Sequence, residues 1–187
     1  KLRLLFLDAI ERIEKSFKAQ VFNYLFSKYG EDYFIENIYK RNQFINIKIN
    51  KFLISDVVDF ITFGEVLEIF KNLKKIDKIN ISRYYNIYWI YLYSYLHNLR
   101  EVRNICAHFS RLWNRKITKN LKRSYFIEGL TYNKKIFDSI LLCNIFLKNI
   151  DSEYRWINKI LNLIEKYKIN VNIMGFPCNW RDVLYGS

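Results

Sequence analysis

The residues best suited to chemistry lie in Arg103-Asn104-Ile105-Cys106-Ala107-His108, which runs on as Phe109-Ser110-Arg111-Leu112-Trp113-Asn114-Arg115. This stretch holds one of only two histidines in 187 residues, five positions after an arginine. Histidine moves protons near neutral pH. Arginine grips a phosphate through a fixed fork of N–H donors. RNA carries its own nucleophile, the 2′-OH. Its cleavage needs a base for that proton, an acid for the 5′-oxygen and positive charge for the phosphorane-like transition state. His108 suits the acid or base role, Arg103 the developing charge, and Asn104 the orientation of either. Arg100, Arg111 and Arg115 suit flanking phosphates, and Trp113 or Phe109 can stack on a base. The same groups would also hold RNA without cutting it, or stand as a structural helix end at a dimer interface.

These groups need a helix to align them. On a helix from Tyr85 to Phe109, Leu92, Leu99, Val102, Ile105, Cys106 and Phe109 share an apolar face. His97, Arg100, Glu101, Asn104 and His108 gather on the opposite stripe, at offsets of 3, 4, 7 and 11 from His97. Arg103 stands apart, about 140° from His108 on a regular helix. Either the helix distorts near Cys106 or Arg103 works across a subunit boundary.

One proline and five glycines leave little room for a turn-rich β protein. Apolar spacings are mostly three and four, which predicts an all-α chain. Leu2 to Tyr29 reads as a long helix with Leu5, Ala9, Ile13, Phe17, Val21 and Leu25 along one stripe, and Gly30 is placed to end it. A short helix follows from Tyr33 to Tyr39. Residues 42–55 are ambiguous, irregular or a short strand. Thr62-Phe63-Gly64-Glu65 matches a capping box and opens a helix from Phe63 to Lys74. Ser82 or Arg83 opens the long helix that carries the Arg/His segment. Asn133 caps a helix over Lys134 to Asn149, and Asp151 or Ser152 caps another to Tyr167. The tail, with Gly175, Pro177 and Trp180, reads as irregular and packed back on the core.

A chain of this length buries roughly 70% of its unfolded surface, so it needs no disulfides. It suits one large domain or two, and residues 1–187 are taken as a single helical domain. Cys106, Cys143 and Cys178 are far apart and odd in number, which points to free thiols in the cytoplasm. The net charge of +13 suggests an anionic partner. Lysine is abundant beside Asn, Ile, Tyr and Phe, a composition that an AT-rich genome produces, so arginine is the cleaner signal. Of eleven arginines, Arg100, Arg103, Arg111, Arg115 and Arg123 fall within 24 residues. No segment approaches the roughly 20 apolar residues of a membrane-spanning helix; the best, Ile87 to Leu96, is ten residues long and rich in tyrosine.

With these residues in hand, the chain resembles the Abi-like (AbiD/AbiF) family of bacterial abortive-infection proteins, of the HEPN superfamily. The likeness rests on Arg103 to His108 and on Arg111-Leu112-Trp113-Asn114-Arg115. It extends to Leu2 to Glu14, to Phe63-Gly64-Glu65 through Leu73, and to Met174-Gly175-Phe176-Pro177-Cys178-Asn179-Trp180. The resemblance implies a HEPN-type helical bundle and a metal-independent endoribonuclease that acts on phage or host RNA. Arg103 and His108 would be the catalytic pair, with Asn104 the polar residue after the arginine. Arg100, Arg111, Trp113, Asn114 and Arg115 would contact RNA. It implies a homodimer in which two motifs build one cleft, no metal or other cofactor, no membrane, and in some relatives a bound small non-coding RNA. Many family members carry a second histidine where this chain has Phe109. They also have an N-terminal region before the position of Lys1, so the chain reads as a fragment.

Other candidates have plainer readings. His97 is more readily structural than an RNA ligand. Cys106, His97 and His108 are too few for zinc. Tyr84, Tyr85, Tyr88, Tyr91, Tyr93 and Tyr95 read as packing. Glu11 and Glu14, and the run Lys71, Lys74, Lys75 and Lys78, read as solvated surface.

Overall fold

The computed structural model describes residues 1–33 and 61–186. Among these residues there are seven α-helices and no strand. They are α1 (Leu2–Tyr33), α2 (Phe63–Asn72), α3 (Lys75–Arg83), α4 (Trp89–Ala107), α5 (Ile136–Ile150), α6 (Trp156–Lys166) and α7 (Trp180–Gly186). The expected helix over 33–39 falls, past Tyr33, outside the described residues, as does the ambiguous stretch 42–55. The chain divides into two compact units, one of Lys1–Ile13 with Ile90–Ser187, the other Glu14–Trp89.

In the first unit, Phe6, Ala9, Ile10 and Ile13 of α1 are buried at helical spacing. Trp156 at the start of α6 packs edge-on against Phe6 at 5.7 Å, and its indole N–H donates to the Leu5 carbonyl at 2.9 Å. That single bond satisfies the one polar atom of a buried tryptophan. Helix α5 is buried along most of its length, from Ile136 and Phe137 to Phe146 and Leu147. α6 is amphipathic, with Trp156, Ile157, Ile160, Leu161 and Ile164 turned inward. The tail does pack back. Phe176 lies 4.8 Å from Phe137, and the buried Asn144 donates to the Leu184 carbonyl at 3.1 Å. It is less irregular than expected, since Trp180–Gly186 is helical.

In the second unit, Phe17, Val21, Phe22 and Leu25 continue the stripe of α1. Gly30 breaks that helix at φ 77, a backbone state open to glycine at little cost. The capping box forms as read. Thr62 Oγ1 accepts from the Glu65 N–H at 3.3 Å, and Glu65 Oε2 accepts from the Thr62 N–H at 2.7 Å. We expect Thr62→Ala to cost about 1 kcal/mol in urea unfolding. Asp77 is buried, and its carboxylate accepts from Tyr24 and Tyr29 hydroxyls, each at 2.9 Å, and from Lys28. Burial pushes the Asp77 carboxyl up, but the bonds from Lys28, Tyr24 and Tyr29 outweigh it and hold it below the usual carboxylate range. A carboxyl depressed on folding stabilises above its unfolded value near ~4 and loses that contribution as pH falls through the folded value. Asp77→Asn should therefore lower the urea midpoint at pH 7, by roughly 1–2 kcal/mol of stability, and the gap to wild type should close toward pH 3.

Three helix starts differ from expectation. The helix carrying the Arg/His segment begins at Trp89, and Lys75–Arg83 form a separate helix. Ser82 does not cap; its hydroxyl donates back to the Lys78 carbonyl at 2.6 Å. The chain then turns through Asn86, whose φ of 51 is not helical. Asn133 accepts from the Lys135 N–H at 2.9 Å, and left-handed Lys134, φ 61, delays α5 to Ile136. Asp151 ends α5 and accepts from the Glu153 N–H at 3.2 Å, so α6 starts later, at Trp156.

Candidate functional site

The apolar face of α4 buries Tyr91, Leu92, Tyr95, Leu96, Leu99, Val102, Ile105 and Cys106. With that face fixed in the core, the polar stripe is forced outward. It stops at a sharp helix end. The Ser110 N–H bonds to the Ile105 carbonyl at 3.1 Å and the Phe109 N–H to the Cys106 carbonyl at 3.3 Å, a pair that closes the last turn in the Schellman manner. This geometry needs a left-handed residue after the cap, and Phe109 supplies it at φ 54. Phe109 is thus not part of the apolar face, as the periodicity had suggested. It is 80% exposed, with the Arg3 guanidinium 4.2 Å from its ring centre.

His108 is the residue at this helix end, exposed, and it opens on a cleft of about 480 Å³. The cleft is lined by His97, Arg100, Asn104, His108 and Arg115, with Glu101, Thr118 and Lys119 closing one side. His97 stacks on Tyr93 at 5.5 Å. The predicted stripe therefore does gather in one place. Arg103 is not among the lining residues, but its Nη1 donates to Asn104 Oδ1 at 3.3 Å. Asn104 is the link between that guanidinium and the hollow beside His108.

The other predicted contacts lie elsewhere. Arg111 and Trp113 line a largely apolar groove of about 370 Å³ with Leu2, Leu4, Leu112 and Leu163. Asn114, left-handed at φ 47, accepts from Lys135 Nζ at 2.6 Å.

What sequence reasoning missed is how the loop from His108 to Lys135 is held. Leu112 and Ile117 are buried anchors. Three residues of α4, spaced four and three apart, grip its backbone. Ser94 Oγ accepts from the Lys122 N–H at 2.8 Å. Asn98 donates to the Lys119 carbonyl at 3.3 Å and accepts from Ser139 Oγ at 2.8 Å. Glu101 accepts from the Thr118 N–H at 2.8 Å, its hydroxyl at 2.6 Å, and the Lys119 N–H at 2.6 Å. The i, i+4, i+7 spacing of these three residues was the available signal.

Cys106 and Cys143 are buried free thiols, and burial pushes the Cys106 thiol up to about 11, so it is no nucleophile near neutral pH. Cys178 is free and exposed. Among the described residues no three His, Cys, Asp or Glu side chains are grouped to hold a metal ion. No helix there is long and apolar enough to cross a membrane.

Fold and site together define an all-α protein with an arginine- and histidine-bearing helix end that opens on a basic cleft. Residues 37–114 match the family of Abi-like proteins. That stretch takes in Arg103, Asn104 and His108 and stops one residue short of Arg115. No curated protein and no solved structure matches the chain.

Proposed function

We propose that this protein is a metal-independent endoribonuclease of a bacterial abortive-infection system, a cytoplasmic homodimer of HEPN type. The cleft at the end of α4 carries the reading: Asn104 and His108 share it with Arg100, Arg115 and Lys119. RNA would lie with a phosphate against the cations. The 2′-oxygen attacks phosphorus as its proton passes to a base, and the P–O5′ bond breaks as an acid protonates the leaving oxygen. The products are a 2′,3′-cyclic phosphate and a 5′-hydroxyl. His108 carries one of the two proton transfers. Arg103, held by Asn104, stabilises the charge on the non-bridging oxygens. In a homodimer, Arg103 of each protomer would serve His108 of the other. That arrangement gives Arg103, outside its own protomer's cleft, a role across the boundary.

The match to Abi-like proteins and the excess of positive charge support the reading. The test is incubation of end-labelled single-stranded RNA with the protein in EDTA. Cleavage to fragments ending in cyclic phosphate is the expected result, and intact RNA overturns it. A second reading, an RNA-binding module that holds a small RNA without turnover, is favoured by cations that do not line the cleft, such as Arg111 and Arg123. It predicts tight, salt-steep binding with no cleavage, weakened by Arg111→Ala or Arg115→Ala. Weak binding with little salt dependence would leave only a dimerising sensor.

A further inference from the structure

Beside the cleft, and sharing Lys119 with it, lies a more enclosed pocket of about 300 Å³. Lys119, Arg123, Lys134 and Lys135 line it, against a single carboxylate, Asp138, and the amide of Asn98. We propose that this pocket binds a phosphate group of a strand that continues from the cleft, a second phosphate site on the RNA. The inference rests on the RNA reading above for the source of the phosphate, though not for the pocket's preference for one.

Four observations carry it. First, four cations face one carboxylate. Among the described residues Lys119, Arg123 and Lys134 make no ion pair. Asp138 accepts instead from the Thr131 N–H at 2.7 Å, the Thr131 hydroxyl at 2.9 Å and the Tyr132 N–H at 2.9 Å, and its single charge leaves a net positive lining. Second, the pocket sits at the start of α5, a helix of 15 residues whose first turn has no side-chain cap. The helix dipole adds a positive field there, which Asp138 in the same turn offsets in part. Third, the wall is held in an unfavourable backbone state. Tyr132 and Lys134 have φ of 54 and 61. Such states persist where surrounding structure enforces them, often at ligand sites. Here Asp138 clamps Tyr132, the Tyr132 hydroxyl bridges the Ser124 N–H and carbonyl at 2.8 and 3.1 Å, and the Lys134 carbonyl accepts from Ile117 at 2.8 Å. Fourth, Lys119 borders both hollows, so a strand leaving the cleft passes a cation into the pocket.

The test uses Arg123→Gln combined with Lys134→Asn. Asparagine tolerates the left-handed state at position 134, so charge is removed without loss of the turn. Far-UV circular dichroism checks that the variant is folded. Binding is measured with a 12-nucleotide 2′-O-methyl RNA, which cannot be cleaved, and with 5′-AMP as a free phosphate probe. The variant should bind the 12-mer about tenfold more weakly, with a log K against log salt slope smaller by about 0.7, the loss of one neutralised phosphate. Equal affinity and slope for both probes overturns the proposal. Loss of 5′-AMP binding with an unchanged 12-mer overturns the strand assignment and leaves a free-nucleotide site. If neither protein binds the 12-mer, the RNA reading itself has failed and the 5′-AMP arm decides the pocket. None of these readouts depends on cleavage.

Discussion

His108→Ala should lower the rate of RNA cleavage by about 10³-fold, within the 10²–10⁴ range of a lost general acid or base. The protein should stay folded, because His108 is exposed at the end of α4 and its side chain makes no hydrogen bond among the described residues. Arg103→Ala should cost about 10²–10³-fold by loss of transition-state charge stabilisation. Mixing the two variants then separates one-protomer from shared sites. Suppose Arg103 of one protomer serves His108 of the other. A mixed dimer of the two variants then contains one site with both residues intact. Random mixing makes about half the dimers mixed, each with one working site of two, so about a quarter of wild-type activity should return. If both residues act within one protomer, no mixed dimer has an intact site and activity stays at the level of the single variants. RNA cleavage after denaturing and refolding the mixture reads this directly. Unchanged cleavage by His108→Ala alone would remove the motif from the chemistry.

The parts of the site legible in the sequence are those fixed by local periodicity. The stripe His97, Arg100, Glu101, Asn104 and His108 follows from where Leu92, Leu99, Val102 and Ile105 must go, and the cleft forms on it. Thr62 and Glu65 were legible for the same reason, since a capping box is a contact over three residues. Two errors came from endings that the usual residues do not mark. A Schellman turn commonly uses glycine, and here Phe109 takes the left-handed position, so the apolar pattern seemed to run on. Ser82 looks like a cap in sequence, yet its hydroxyl bonds back into α3. The course of the loop after His108 was not legible. It depends on Ser94, Asn98 and Glu101 meeting backbone groups more than 15 residues away, and their i, i+4, i+7 spacing marks a shared helix face without naming what that face holds. Lys119, which borders both basic hollows, was hidden among many lysines for that reason.

Glu101 turns that loop into part of the site, and its replacement should have the next largest effect. Both carboxylate oxygens are in use, Oε1 by the Thr118 N–H and hydroxyl and Oε2 by the Lys119 N–H. Bonds to an ionised acceptor are the stronger kind, though solvent weakens these. Glu101→Ala should cost only about 1 kcal/mol of stability, because Leu112 and Ile117 still anchor the loop. Its effect on cleavage should be larger, about 10–100-fold in kcat/KM, because Arg115 and Lys119 lose their fixed place against the strand. A residue that positions phosphate contacts acts mainly on binding, so the loss should appear as a raised KM with kcat within a few-fold of wild type. Glu101→Gln gives a sharper check than alanine. The amide keeps one acceptor but turns an N–H₂ group toward a backbone N–H, and two donors cannot pair. Glutamine should therefore rescue little. If Glu101→Gln restores wild-type KM while alanine does not, packing rather than the paired acceptors holds the loop. If neither variant moves KM, Arg115 and Lys119 do not bind the substrate where the clamp places them.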